Sequence, residues 1–433
     1  MLGIYTLAFV VLAPVTSDPE FPPLHAEMRL HEPYVELFER HYPDVYPRRE
    51  LRSLRSRIER ERDKAIEDAK RLEERWKKEL SDARDELEEL NKASSFDAPG
   101  PAGRRAKLHI DIAALERTIQ AKSNEREHTI PAAFEAQLTK LWLIEHWPER
   151  RAEIAHRIEQ GDARKRNHGD AEDIGYRLLA KDQEKDIETG TQAARQVVAG
   201  GWLPPELPDS EIQGYVRQLG ARIAAHSDLK VPLRVTVLGS AEPKVVALPG
   251  GFLYVTSGVI AAANTEAEFA GVLSREIARI AARHATRSSK MKWVSRIFMP
   301  VTQIATGLFA GSGINPAASY GINYGAQGLS GLMDRVLDGT DERNQKEADQ
   351  LGIQYAWKAG FDPKGFIAFL DSTARREGGE SFVSSEPALP KRLLNLYSEI
   401  QYLPAQENPI VDSAEFRRIR RRVIAQETDP TPE

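Results

Sequence analysis

The chain has 433 residues, of which 41% are hydrophobic and 29% charged, and its formal net charge is −5. That length supports two or three structural units with at least one sizeable core, and the charge balance carries no electrostatic footprint for nucleic acid. There is no cysteine, which excludes disulfides, thiolate metal ligands, a catalytic thiol and a lipid-modified cysteine.

Leu2 to Val15 is apolar apart from Gly3, Thr6 and Pro14, and no charge appears before Asp18. The run is short for a membrane span, which takes about 20 residues. It reads as the apolar region of a secretory signal, with Val15-Thr16-Ser17 as a small-residue cleavage site. Residues 1–17 are therefore expected to be a signal peptide or N-terminal anchor, and the chain to be exported, periplasmic or membrane-anchored. No Lys or Arg precedes the run, so an N-terminal helix docked on the body is the alternative.

From Arg48 to Lys92 the sequence predicts one long charged helix. Its apolar positions are Leu51, Leu54, Ile58, Ala65, Ala69, Leu72, Trp76, Leu80, Ala83, Leu87 and Leu90. Most steps are three, four or seven residues, the spacing of a coiled-coil seam. Ser94 to Pro101 must turn the chain, and Leu108, Ile112, Leu115 and Ile119 mark a second helix that Pro131 stops or kinks. The expectation is an antiparallel coiled-coil hairpin over 48–128, acting either as a partner-binding or oligomerising arm or as a spacer. A helical connector follows over 129–173. Its histidines, His146, His156 and His168, lack metal-ligand spacing.

The body is expected over 174–404. Glu211 to Ala225 is an amphipathic helix and Leu233 to Leu238 a strand. Val245 to Leu248, Pro249-Gly250-Gly251 and Phe252 to Thr256 read as strand, turn, strand. Thr265-Glu266-Ala267-Glu268 is a capping box, opening a helix that runs to about Arg287. These elements imply an α+β domain with a small sheet beside a helical core. A C-terminal helix and tail occupy 405–433. There Arg417, Arg418, Arg420, Arg421 and Arg422 form a basic cluster, read as anionic-lipid contact or as a solvated face. Ile297 to Met333 carries no charge but has too many helix breakers for a membrane helix. It is read as a membrane or partner surface, or as a loop.

Inside the capped helix lies Ser274-Arg275-Glu276-Ile277-Ala278-Arg279. Zincins carry H-E-x-x-H in this setting, two histidines one turn apart facing one metal and a glutamate that activates water. The segment Leu248 to Gly258 resembles the ALPGGxIYVTxGL block of the HtpX/CAAX-prenyl-protease family of zinc metallopeptidases, peptidase family M48. Asn264 to Ala285 is similar to that family's NEAELAGVLAHEIGHVxxRHA. Lys346-Glu347-Ala348-Asp349 with Ala359 to Pro363 resembles its EREAD…AGYDP block, and Ser384 to Pro387 with Pro390 to Leu393 its STHP..PERI block. Glu184 to Gly190 resembles the family's start of the domain. The resemblance spans about 175–400 and implies a zincin-like fold.

Carried over by position, the two histidine ligands fall on Arg275 and Arg279 and the general base on Glu276. The glutamate ligand falls on Glu347, a late-cleft histidine on Glu386, and the family's late arginine on Arg392. The family uses zinc, but a guanidinium stays protonated and has no lone pair to give. No metal or other cofactor is therefore expected, and Glu276 is expected to be vestigial. Glu276, Glu347 and Glu386 are expected to converge on the two arginines and replace zinc by an Arg–Glu cluster, the alternative being that the site decayed and the arginines reach solvent. His284 is expected to pack outside the zinc shell. The resemblance further implies that an edge around Val245, Val246 and Ala247, or around Phe252 to Thr256, pairs with an extended peptide.

The functional expectation is a pseudopeptidase that has lost zinc and proteolysis and binds a peptide or protein partner at the cell envelope. One alternative is an active or residual metalloendopeptidase using Glu276. Another is a structural adaptor working through the hairpin, which could also form a homo-oligomer; contact with a membrane surface is a separate alternative.

Overall fold

The computed structural model describes residues 26–39, 46–92, 99–161, 170–178, 181–199, 203–287, 342–374 and 388–428. The expected signal segment, the uncharged stretch 297–333, His168 and Glu386 lie outside them.

A 3-10 turn at Ala26–His31 and helix α1 (Tyr34–Glu39) precede the long helix α2 (Arg48–Lys92). Helix α3 (Pro99–Asn124) passes through a π-turn at Glu125–Thr129 into α4 (Ile130–Glu159). Pro131, expected to stop or kink the helix, lies directly after that π-turn. It sits in the first turn of α4, where the backbone ladder changes from π to α spacing and can accommodate the missing N–H. α2 and α3 run antiparallel, clasped by Arg84–Glu116 (2.6 Å), Arg104–Glu86 (2.7 Å) and Arg126–Glu73 (2.9 Å). The predicted seam of α2 is the face turned inward: Leu51, Leu54, Ile58 and Ala69 are buried and the others from Ala65 to Leu90 are half-buried.

The hairpin is not independent of the body. Leu51, Leu54 and Ile58 belong to the same apolar core as Leu141, Trp147 and Leu396. Helix α1, which the sequence reading did not single out, is part of that core. Phe38 stacks on Tyr397 at 4.3 Å and its carbonyl accepts the Trp147 indole N–H at 3.1 Å.

The body continues with α5 (Asp186–Ala199), α6 (Ser210–Ala225), β1 (Arg234–Leu238), β2 (Val245–Leu248), β3 (Phe252–Thr256), α7 (Ser257–Ala262) and α8 (Glu266–Ala281). A one-turn helix α9 (His284–Arg287) precedes α10 (Glu342–Lys358), α11 (Gly365–Thr373), α12 (Leu389–Ile400) and α13 (Ala414–Thr428). The sheet order is β1-β3-β2, with β1 parallel and β2 antiparallel to β3. Gly250 turns the β2–β3 connection at φ 72°, and a Cβ there would sit 2.7 Å from the Asp186 carbonyl, so only glycine fits. One face of the sheet packs Val246, Leu248 and Tyr254 on α5; the other buries Val235, Val237, Leu253 and Val255 in the main core.

The two outer strands end differently. The Gln213 side chain of α6 bonds both backbone groups of Val237, donating to its carbonyl (2.8 Å) and accepting from its N–H (3.0 Å). Arg217 donates to the Val235 carbonyl (3.3 Å) and Leu207 N–H to the Val237 carbonyl (2.9 Å). The edge of β1 is thus capped. Because β3 lies between the other two strands, Phe252 to Thr256 is not an edge, and among the described residues β2 is the outer strand without such capping contacts. Thr256 N–H donates to the Lys244 carbonyl (3.0 Å), which makes that a hydrogen-bonded pair. By the alternation of an antiparallel ladder, Val246 and Leu248 bond β3, while Val245 and Ala247 turn their N–H and C=O outward.

Helix α8 runs through the centre. Every residue of it except Arg279 is buried. Thr265 caps it, accepting the Glu268 N–H at 3.3 Å, and the Glu268 carboxylate reaches back to Asn264 N–H at 2.8 Å. The helix ends at Ala281, six residues before the predicted end, because Arg283 takes a left-handed φ of 57°. Arg283 is held there by Asp186, at 2.6 and 2.7 Å, and by the Lys181 carbonyl at 2.9 Å. α13 is likewise part of the body. Phe416, Ile419 and Val423 are fully buried, and the segment before it bonds the start of α8 through Ala267 N–H to Val411 C=O (2.9 Å). Of the basic cluster on α13, Arg417 pairs with Asp412 (2.8 Å), Arg418 with Glu211 and Arg422 with Asp209 (2.5 Å), while Arg420 donates to the Ala261 carbonyl (3.1 Å). No described helix is long and apolar enough to cross a membrane.

Candidate functional site

The site is built where α8 crosses α10. Gly352 makes the crossing tight: a Cβ there would lie 2.7 Å from the Cα of Arg275. With the backbones that close, the Arg275 side chain lies along α10. Its Nε donates to Asp349 Oδ1 at 2.9 Å, one guanidinium nitrogen reaches Glu276 Oε1 and the other Gln345 Oε1. Gln345 and Asp349 are four residues apart, hence on one face of α10.

Glu276 is held from both sides. Its second oxygen accepts from Arg279 at 3.0 Å. Asp349 is shared as well, taking Arg392 of α12 in a two-point contact at 2.6 and 2.9 Å. The result is a line of alternating charges, Arg279, Glu276, Arg275, Asp349 and Arg392. The side chains of Glu276, Asp349 and Arg392 are 2%, 4% and 2% exposed, and even Arg279 is only 12% exposed. The ring of Phe366, from α11, lies 5.3 Å from the Arg392 guanidinium and 6.0 Å from that of Arg275. Burial alone would raise the Asp349 carboxyl; Arg392 and then Arg275 outweigh it and hold the carboxyl below its ordinary value.

Glu347 is positioned otherwise. Its carboxylate meets His284 Nε2 at 2.9 Å, both side chains being buried. Two residues from Gln345 and two from Asp349, it stands about 200° around the helix from each. The α10 residues seen to bond Arg275 are Gln345 and Asp349; the sequence reading does not name Gln345 and quotes Asp349 only inside a family block, with no role. The four-residue step between them, phased against Glu347, is the signal that could have found them. Val245, Val246 and Ala247 lie on β2, the outer strand without capping contacts among the described residues.

The fit to zinc can be tested on these contacts. Zinc takes nitrogen, sulfur or carboxylate ligands with a free lone pair. At 275 and 279 the side chains are cations without one, and both oxygens of Glu276 are engaged by them. Among the described residues no three His, Cys, Asp or Glu side chains are grouped to hold a metal ion. The residues present do not fit the group.

The profile of Peptidase family M48 matches residues 210–400, from the first residue of α6 to the last of α12. The chain is 26% identical over 189 residues to the beta-barrel assembly-enhancing protease of Escherichia coli (strain K12), covering 43% of this chain and 37% of that protein. It is 28% identical to the protein of the same name from Yersinia pestis, covering 49% and 41%. It is 27% identical to a putative one from Vibrio cholerae, covering 51% and 45%. The chain thus spans less than half the length of the curated relatives it matches. The segment 210–400, with its small sheet, central helix and crossing α10, is the part of the chain that matches Peptidase family M48.

Proposed function

We propose that this protein is a pseudopeptidase, a member of a zinc peptidase family that holds no zinc and cuts no peptide, and that it binds an extended protein segment at the cell envelope. The observation that carries this reading is the pairing of Arg275 and Arg279 with Glu276. The family's metal ligands and its base fall on these three positions by resemblance. Two guanidinium groups occupy the carboxylate that would have to take a proton, and they repel a dication.

The binding surface is the outer edge of β2. Among the described residues, no partner bonds the outward strand groups of Val245 and Ala247, which lie on an element packed against the core, and this suits strand addition. The relatives' name ties them to β-barrel assembly. An incompletely folded β-strand of an envelope protein is the kind of segment this edge would accept, and the expectation of an exported chain agrees with that setting. The hairpin is the second candidate contact, as an arm for a protein partner or another copy of the chain. No metal or organic cofactor takes part in this reading.

Zinc per chain decides between this and the residual-hydrolase alternative. Full-length protein without a histidine tag, produced in zinc-supplemented medium, is expected to be folded by circular dichroism and to contain close to no zinc by elemental analysis. About one zinc per chain, with peptide cleavage abolished by Glu276→Gln, would overturn the proposal.

A further inference from the structure

We infer that the vacated metal position has become a metal-independent pin, a buried ion-pair line that fastens α8 to α10 and α12. The inference stands whether or not the β2 edge captures a peptide. Three features support it. The line crosses three helices: α8 supplies Arg275, Glu276 and Arg279, α10 supplies Asp349 and α12 supplies Arg392. Its contacts are those of built ion pairs, with Asp349 receiving Arg392 on both oxygens (2.6 and 2.9 Å) while also receiving Arg275 (2.9 Å). It is enclosed, since Arg275 is 8% and Asp349 4% exposed at the side chain, and Phe366 covers the guanidinium groups of Arg275 and Arg392. A decayed site would leave its arginines to extend into water, where they are better solvated.

The pin has an energetic signature that packing alone lacks. Removing one member of a buried pair strands its partner's charge, whereas removing both and filling the space restores much of the loss. Thermal unfolding of the full-length chain therefore tests it. The melting temperature is expected to be the same with EDTA and with added zinc. Asp349→Asn is expected to lower it by about 5–15 °C, the cost of a broken buried pair spread over a domain of this size. The double variant Asp349→Asn/Arg392→Met is expected to recover at least half of that drop. Should Asp349→Asn not accumulate as folded protein, Arg392→Lys serves instead. It keeps the charge and loses the two-point geometry, and should lower the melting temperature by several degrees with EDTA still without effect. A drop caused by EDTA, or a double variant at least as unstable as Asp349→Asn alone, or an Arg392→Lys protein as stable as the parent, would overturn the inference. The EDTA outcome bears on both readings, but the double-variant and Arg392→Lys outcomes depend on neither zinc content nor peptide binding, so the pin can fail while the pseudopeptidase reading stands.

Discussion

Asp209 shows the weight of a single carboxylate here more cleanly than the central site does. It caps α6, accepting the Glu211 and Ile212 N–H groups at 3.1 and 3.2 Å, and it also pairs with Arg422 (2.5 Å) and Gln426 (2.8 Å) of α13. Burial pushes its carboxyl up, but Arg422, the Ile212 N–H and Gln426 outweigh that and bring it below its ordinary value. The sign follows from linkage: a depressed carboxyl adds stability that is fully present above its unfolded value of about 3.9 and lost as pH falls through the lower folded value. Asp349 is depressed in the same way and acts in the same window. Asp209→Asn keeps a good cap and loses only the charge. It should lower stability by about 1 kcal/mol at pH 7, less than a buried charge-assisted hydrogen bond because Arg422 is half exposed and screened. The gap between parent and variant should close below about pH 4; a gap in urea midpoint that persists unchanged to pH 3 would refute this. At this scale the sequence reading names Arg275, Glu276, Arg279 and Arg392, which the structure brings into one line of contacts. It gives no role to Gln345 or Asp349, because a motif comparison weighs residue types in order and gives no helix phase. Only the phase of α10 against α8 shows that Glu347 faces His284 while Gln345 and Asp349 face Arg275.

Among the elements, β1 and β2 make the informative contrast, because both lie at the outside of one sheet and, among the described residues, only β1 is capped. Gln213 ties off Val237 and Arg217 ties off Val235. Proline is tolerated on an edge strand where the N–H it removes points away from the ladder. Ala247 is such a position in the β2 register, and Ala247→Pro removes one donor from the open edge and blocks close approach of a partner strand. The variant should remain folded, with a melting temperature within about 3 °C of the parent, since no ladder hydrogen bond is lost. Binding of a fluorescent extended peptide from a β-barrel strand should weaken at least tenfold by anisotropy, about 1.4 kcal/mol. Unchanged binding would move the peptide site off β2. The elements themselves were largely readable: the seam of α2, the cap of α8 and the β2–β3 turn all carry strong local signals. What was not readable has a physical reason in each case. Arg283 ends α8 through a left-handed backbone that arginine seldom adopts, and Asp186, nearly a hundred residues away, supplies the partner that stabilises it. The central place of β3 depends on a parallel pairing with β1, which no local pattern encodes.

On the scale of the molecule, the hairpin divides into a root that the body needs and an arm that it does not. The root includes Leu51, Leu54 and Ile58, which share the core with α1, α4 and α12, so removing residues 48–128 would strip a core face and the body would be expected to unfold. Toward the tip the burial changes. The last buried residue of α2 is Glu73, paired with Arg126 at 2.9 Å and Lys77 at 2.5 Å, and on α3 Leu108 is the buried apolar residue, covered by α2. Ile110, on the far side of α3, is 68% exposed. The arm therefore packs on itself and adds little to the body. Replacing residues 77–121 with a short Gly/Ser linker between Trp76 and Lys122 leaves the root and the Glu73–Arg126 pair in place. Because the arm's apolar contacts are made within the arm, the truncated protein should melt within about 3 °C of the full chain, less than about 1 kcal/mol on a domain of this size. A fall of more than about 8 °C would mean that the arm braces the body. The same truncation measured by light scattering tests its role. An oligomer in the full chain that becomes a monomer on truncation assigns self-association to the arm, through a face that includes Ile110. An unchanged mass, with peptide binding at β2 intact, leaves the arm free to reach a different protein while the β2 edge holds its own segment.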